Sequence, residues 1–354
     1  MSFKRLDPED FVVSSDSITS TLWSNNVPIL NSFFTSSVQE AGSSGNFYLS
    51  VYQTASNLST AEIQLDIVYC DYLGSGSEFY NNIVPGYSPT RTMYGQYRSL
   101  ILEDETQNFI FGSSANSGYN SCGVLVSSST SIFGDRFWAL SIERARYKES
   151  LFPGSCNLTL TGPGGAAGTT IKITDNSNDI TVTPFIGATR AYQLVSGSNG
   201  SGISLNSGYT QTSGSYGILF PDLGIIMLNP YALSESIGLT PNLTYNTPGF
   251  NNRAVYNALV AGNSFGLNSQ ETITSDYIFV RARNSEFNYS ENPSFISGST
   301  GEVIYSSFIN NPQVYMTTIG LYNDITDLLA VAKMSRPLIK DFTKEALVRV
   351  KLDF

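Results

Sequence analysis

From Asn46 onward, Gly, Ser, Asn or Pro interrupts the chain every few residues, and between the interruptions stand short runs of alternating or β-branched residues. Such runs are too short for helices of three or four turns but long enough for strands, which need only four to eight residues. The clearest candidate strands are 47–52, 63–69, 109–111, 137–142, 158–161, 171–174, 180–183, 192–195, 277–280 and 303–308. Segments 158–161 and 171–174 flank the Gly-rich run 162–168 and read as a hairpin with a flexible tip. Two short helices complete the reading. Pro230 suits the first turn of one ending at Ser236, and Asn252 is placed to cap another through Val260. The expected fold class is mainly β, and no repeat of fixed period supports a propeller or solenoid.

The two ends differ from this middle. Residues 1–45 are rich in Ser, Thr and Asn and show little period beyond 18–23, which reads as an extended N-terminal arm. True disorder is poor in aromatics, so Trp23 and Phe33 are expected to be ordered against a neighbouring chain. At the other end, 314–322 and 328–333 flank the turn-forming run 323–327, a hairpin signal. Residues 346–354 then alternate, with Ala346, Val348, Val350, Leu352 and Phe354 on the side expected to be buried. Pairing of this last strand with the hairpin would make a compact C-terminal β module. The expected division is an arm (1–45), a central β-rich region of one or two subdomains (46–313) and a docking module (314–354).

Composition decides what such a fold is for. Only 14% of residues are charged, against roughly 25% in ordinary soluble domains. A surface so thinly charged is poorly defended against association, a liability for a free monomer and an advantage for a subunit. Tyr and Phe number 21 each; Tyr is enriched where surfaces meet, and equally both residues favour strands. The net charge of −10 and the absence of His argue against nucleic acid as a partner, which would demand a basic face. Cys70, Cys122 and Cys156 are odd in number and irregular in spacing, so neither a disulfide framework nor a metal pattern is indicated. No apolar run has the length of a membrane helix: the longest, 217–228, is broken by Pro221 and Asp222. The N-terminal residues lack the apolar core of a secretory signal. Lys333, Arg336, Lys340, Lys344, Arg349 and Lys351 gather six of the 19 basic residues near the C-terminus, as a solvated face or as a docking surface for an acidic neighbour.

The chain has no His, which removes His-based hydrolase machinery, most zinc sites and the commonest general base. Gly262-Asn263-Ser264-Phe265-Gly266 spells a nucleophile elbow but has no His to take the Ser264 proton, and it reads as a turn. No lysine has a serine three residues upstream. The run 175–179 resembles a calcium loop but has Ile180 in place of the required Gly and Ile186 in place of the closing Glu, which favours a polar turn. Expected catalytic residues, cofactors and bound metals are therefore none, although a carboxylate pair acting on a glycosidic bond would need no His.

Several stretches resemble a virion structural protein of contractile-tailed phages of marine cyanobacteria. They are 97–102, 143–148 with the following Pro153-Gly154-Ser155, 287–295, and the tail from Tyr315 to Phe354. The tail is also similar to a domain near the start of some tail-fibre proteins, matched here by Thr318-Ile319-Gly320-Leu321-Tyr322 and Leu329-Ala330-Val331. In those proteins the domain serves attachment to the baseplate. Here the module lies at the C-terminus and no fibre repeat follows, which points to a wedge or adaptor subunit over a fibre.

The resemblance implies a virion location in the tail baseplate, with assembly in the host cytoplasm. Its partners are expected to be other tail and baseplate proteins and copies of this chain, with no membrane insertion. The alternative is a receptor- or glycan-binding tail protein. The residues expected to carry contacts are Trp23, Phe33, Ile319, Leu321, Tyr322, Leu329, Val331, Val350, Leu352 and Phe354.

Overall fold

A computed structural model describes residues 4–22, 35–38, 48–52, 59–60, 62–76, 88–102, 106–113, 131–163, 170–203, 213–244, 250–290 and 292–353. The fold is mainly β and built from antiparallel sheets, as expected. The chain divides into two compact units: unit one comprises residues 1–17 and 272–354, and unit two residues 18–271. This grouping differs from the three-part division read from the sequence. Strand order joins the chain's beginning to its end, and no local pattern reports a pairing of that range.

The first strand, β1 (Phe11–Thr21), crosses the boundary between the units. Unit two continues with β2 (Thr35–Val38), β3 (Leu49–Tyr52), β4 (Ile63–Asp71), β5 (Phe109–Ser113), β6 (Ser131–Gly134) and β7 (Arg136–Ile142). After these come β8 (Ser150–Leu151), β9 (Asn157–Thr161), β10 (Thr170–Asp175), β11 (Phe185–Ile186), β12 (Thr189–Arg190), β13 (Tyr192–Ser198) and β14 (Ser201–Gly202). The unit closes with β15 (Gly217–Phe220), β16 (Ile225–Leu228) and β17 (Phe265–Gly266). Its main sheet has the order β17-β9-β10-β13-β15-β16-β7-β4-β3-β2, with β14 attached to β13.

Alternation within these strands feeds two hydrophobic cores, one on each face of the sheet. In β4, Leu65, Ile67 and Tyr69 enter one core while Val68 and Cys70 enter the other. In β7, Trp138 and Leu140 oppose Phe137 and Ala139 in the same way. Helices α1 (Pro89–Ile101), α2 (Pro230–Ile237) and α3 (Phe250–Gly262) supply the covering side chains. Tyr94 and Ile101 of α1 join the second core, and Leu233, Val255 and Leu259 join the first. Burial on both faces explains why the central strands read as nearly continuous apolar runs. The 217–228 run is the β15–β16 hairpin, paired Gly217↔Leu228 to Phe220↔Ile225. At Gly217, with φ +153°, a Cβ would lie 1.9 Å from the Met227 carbonyl oxygen, so only glycine fits.

The expected hairpin of 158–161 with 171–174 is present as β9–β10, in register Leu158↔Ile173. Helix α2 starts as expected: Pro230 is in its first turn, the Asn229 side chain accepts from the Tyr231 amide at 3.1 Å, and Gly238 ends it at φ +69°. Asn252 is not a cap. It lies inside α3, where its Oδ1 accepts from the Tyr69 amide at 2.8 Å and ties the helix to β4. Residues 180–183 form no strand: the chain bends at Thr181 and Val182 and runs into Pro184, which has no amide to give a ladder. Residues 303–308 hold only the isolated bridge Ile296↔Val303 before α4 (Ser306–Asn310).

Unit one contains the greater part of β18 (Asn268–Ala282), and with it β19 (Val314–Tyr322), β20 (Leu328–Lys340) and β21 (Ala346–Asp353). The last strand does not join the C-terminal hairpin. It pairs with β18 from Ser275↔Asp353 to Ala282↔Ala346, in a sheet of order β1-β18-β21, and the hairpin β19–β20 forms a sheet of its own.

Candidate interaction surface

The hairpin β19–β20 is a ribbon of two strands whose turn is fixed by one side chain. Asn323 Oδ1 accepts from the amides of Ile325 at 3.1 Å and Asp327 at 2.7 Å, and the Asn323 amide donates to the Asp327 carbonyl at 3.0 Å. Registers run from Tyr322↔Leu328 through Ile319↔Ala332 to Thr318↔Lys333, then resume at Met316↔Leu338. Met334, Ser335, Arg336 and Pro337 therefore bulge opposite Thr317, and Pro337, which has no amide to give a ladder, sits in the irregular stretch.

Pairing places Ile319 and Leu321 with Ala332 and Ala330 on one half-buried face, and Val331 with Gly320 on the exposed face. Leu329 stands at a second irregularity and is 68% exposed, Val331 is 58% exposed, and Tyr322 is also exposed. The sequence-expected contacts thus split within the hairpin. Val350 and Leu352 separate further: they stand opposite Ile278 and Asp276 on the inner side of β21, with Val350 buried, and pack within unit one instead of facing a partner. The alternation itself holds, since Ala346, Val348, Val350 and Leu352 are the covered positions and Leu347, Arg349, Lys351 and Asp353 the exposed ones. Trp23, Phe33 and Phe354 lie outside the described residues.

Other exposed apolar side chains gather in unit one without any signal strong enough to pick them from sequence. Tyr315 is 64% exposed and Ile325 78% exposed, and Phe342 and Leu347 are exposed as well. All eleven residues of β1 are exposed, Phe11, Val12 and Val13 among them. Among the described residues, the buried apolar side chains of unit one are Ile278, Ala282, Ala346 and Val350, and neither hydrophobic core contains any of them. A two-layer core is therefore missing from this unit's described part.

Polar contacts hold unit one instead. Lys340 is fully buried, and its ammonium donates to the Asn284 carbonyl at 3.1 Å, Asn288 Oδ1 at 2.7 Å and the Asp341 carbonyl at 3.0 Å. All three of its protons have acceptors, the condition for burying such a group. Arg281 pairs with Glu345 at 2.7 Å and Lys344 with Asp341 at 3.3 Å. Lys351 meets Asp353 at 2.8 Å, and Arg349 lies 5.5 Å over the Tyr277 ring. The basic cluster of the tail is thus mostly engaged in its own unit, with Lys333 and Arg336 exposed on β20. Hydrogen bonding from Thr343 lowers the Asp341 carboxyl, and the Arg281 bond lowers that of Glu345.

The chemically suggestive runs of unit two are spent on structure. Asp175 Oδ2 accepts from the Gly154 amide at 2.7 Å, Asn176 Oδ1 from the Gln193 amide at 3.0 Å, and Asp179 Oδ2 from the Gly202 amide at 2.6 Å, so the calcium-like run is a turn that ties neighbouring strands. Ser264 follows α3 and precedes β17, a helix-to-strand turn in the reverse order of a nucleophile elbow. Asp71 and Asp135 approach one guanidinium, that of Arg136, at 3.6 and 3.2 Å, and Asp135 also accepts from the Tyr231 hydroxyl at 2.8 Å. Burial, then the bond to Asp135, pushes that hydroxyl up to about 12. Burial likewise raises the Cys70 and Cys156 thiols well above their ordinary value. Among the described residues no helix is long and apolar enough to cross a membrane. A scan of family models and searches of curated proteins and of solved structures returned no match.

Proposed function

We propose that the chain is a structural subunit of a contractile phage tail, a baseplate wedge or adaptor that works through protein–protein contacts and carries out no catalysis. Unit two is the rigid body of such a part, and unit one is its docking element. The observation that carries this reading is the unpartnered ribbon β19–β20. Two strands alone are barely stable in water, yet this one exposes Tyr315, Tyr322, Leu329 and Val331 and shares no sheet with any other described strand. The ribbon also lies inside the stretch, Tyr315 to Phe354, that resembles baseplate-attachment domains. Its role would be mechanical: to hold tube, sheath and fibres in register while the baseplate rearranges.

Deleting residues 347–354 tests the reading, because it strips nearly all of β21 from β18. The truncated chain is expected to keep unit two folded and to be missing from tail particles. Infectious particles that contain the truncated chain would show that this end is not the docking element.

A further inference from the structure

We infer that β19 is a self-pairing edge: two copies of this chain join their β19 strands antiparallel across a two-fold axis at Thr318, fusing two ribbons into a four-stranded sheet. The inference rests on the proposed docking role of the hairpin and names its partner.

Open strand edges attract other strands, and proteins protect edges not meant to pair with charges, Pro and bulges. The open edges of unit one differ in this respect. β20 carries Lys333, Arg336, Pro337 and the bulge, β21 carries Arg349 and Lys351, and β1 carries Asp16. β19, Val314-Tyr315-Met316-Thr317-Thr318-Ile319-Gly320-Leu321-Tyr322, has nine residues with no charge and no Pro, and among the described residues it pairs on one side only. Its guarded partner strand directs association to this single edge.

The occupant follows from what such an edge accepts. A two-fold interface brings a surface against itself, so a strand can fill it only if its own residues are compatible when reversed. Reversal about Thr318 sets Thr318 against Thr318, Thr317 against Ile319, Met316 against Gly320, Tyr315 against Leu321 and Val314 against Tyr322. Threonine pairs and aromatic–aliphatic pairs are favourable cross-strand neighbours, and no charge meets a like charge. Reversal of β21 about Val350 would instead bring Arg349 against Lys351. The added backbone bonds are those of β-augmentation, and the fused sheet passes the three-strand threshold that a lone ribbon misses.

The test uses the full chain. Sedimentation of the wild type is expected to give a dimer, and T318K, which sets two lysines face to face at the axis beside both Lys333 side chains, is expected to weaken association by roughly tenfold or more while circular dichroism stays unchanged. In a C122S background, T318C is expected to form a disulfide-linked dimer, because directly opposed strand residues lie within disulfide reach, whereas Y322C in the same background is not. A wild-type chain that stays monomeric, a T318K chain as strongly dimeric as wild type, or crosslinking at 322 in preference to 318 would overturn the self-pairing. A monomeric chain that still enters tail particles would sink the self-pairing and leave the docking role standing.

Discussion

The two units solve the stability problem in different ways. Unit two covers both faces of one large sheet with helices and further strands, and its largest buried side chains are aromatic or aliphatic, Trp138, Tyr94, Phe137 and Phe220 among them. Among the described residues of unit one the bulkiest fully buried side chain is Lys340. Carboxyls follow the same divide. Burial raises Asp66, Asp71 and Asp175 in unit two, while hydrogen bonds and ion pairs lower Asp341, Glu345 and Asp353 in unit one. One unit is closed by apolar area and the other by directional polar contacts, and the second arrangement leaves apolar strands facing outward. A subunit built this way keeps its shape before assembly and gains the rest of its stability during it.

Paired substitutions sharpen the contrast. Leu140, fully buried between Ile67 and Ile226 of the neighbouring strands, is expected to cost about 2–5 kcal/mol when cut to Ala, read as a fall in the midpoint of denaturant unfolding. Trp138 is fully buried in unit two, so in a W23F background tryptophan fluorescence follows that unit. Val331→Ala on the ribbon is expected to change stability by less than about 0.5 kcal/mol in the free chain. A comparable loss from both changes would erase the distinction between core and ribbon.

Lys340→Met probes the polar anchor. The substitution keeps most of the apolar stem but leaves the oxygens of Asn284, Asn288 and Asp341 without their donor, at a cost of roughly 3 kcal/mol to unit one. Amide exchange along β20 and β21 should quicken while tryptophan fluorescence melts at an unchanged temperature. An unchanged exchange pattern would mean that the lysine is not what holds the unit.

Much of this was legible in local pattern, and the misses share a cause. Short apolar runs found β4 and β7, and alternating or β-branched runs found β9, β10, β19 and β21, because the faces a strand buries are recorded in its own residues. Pairing partners are not so recorded: β21 was expected beside the neighbouring hairpin and lies beside β18, more than 60 residues away in sequence. Helix α1 was missed although Ser88-Pro89 is a starting signal, since its helical stripe is weak: only Pro89, Thr90, Tyr94 and Ile101 are buried. For the surface, Ile319, Leu321, Leu329 and Val331 were correctly placed in the hairpin, but which of them face outward depends on two bulges that shift the register. Lys340 gave no signal at all, because a buried lysine is defined by the three oxygens around it.

Hydrogen exchange on the full chain, free and in assembled tail particles, tests the central claim most directly. Amides of residues 314–340 are expected to exchange quickly in the free chain diluted until it is monomeric, at the rate of a marginal ribbon, and to become strongly protected in particles, while β4, β7 and β16 are equally protected in both. Equal protection of the ribbon in the free chain and in particles would contradict it, since unit one would then be as complete alone as unit two.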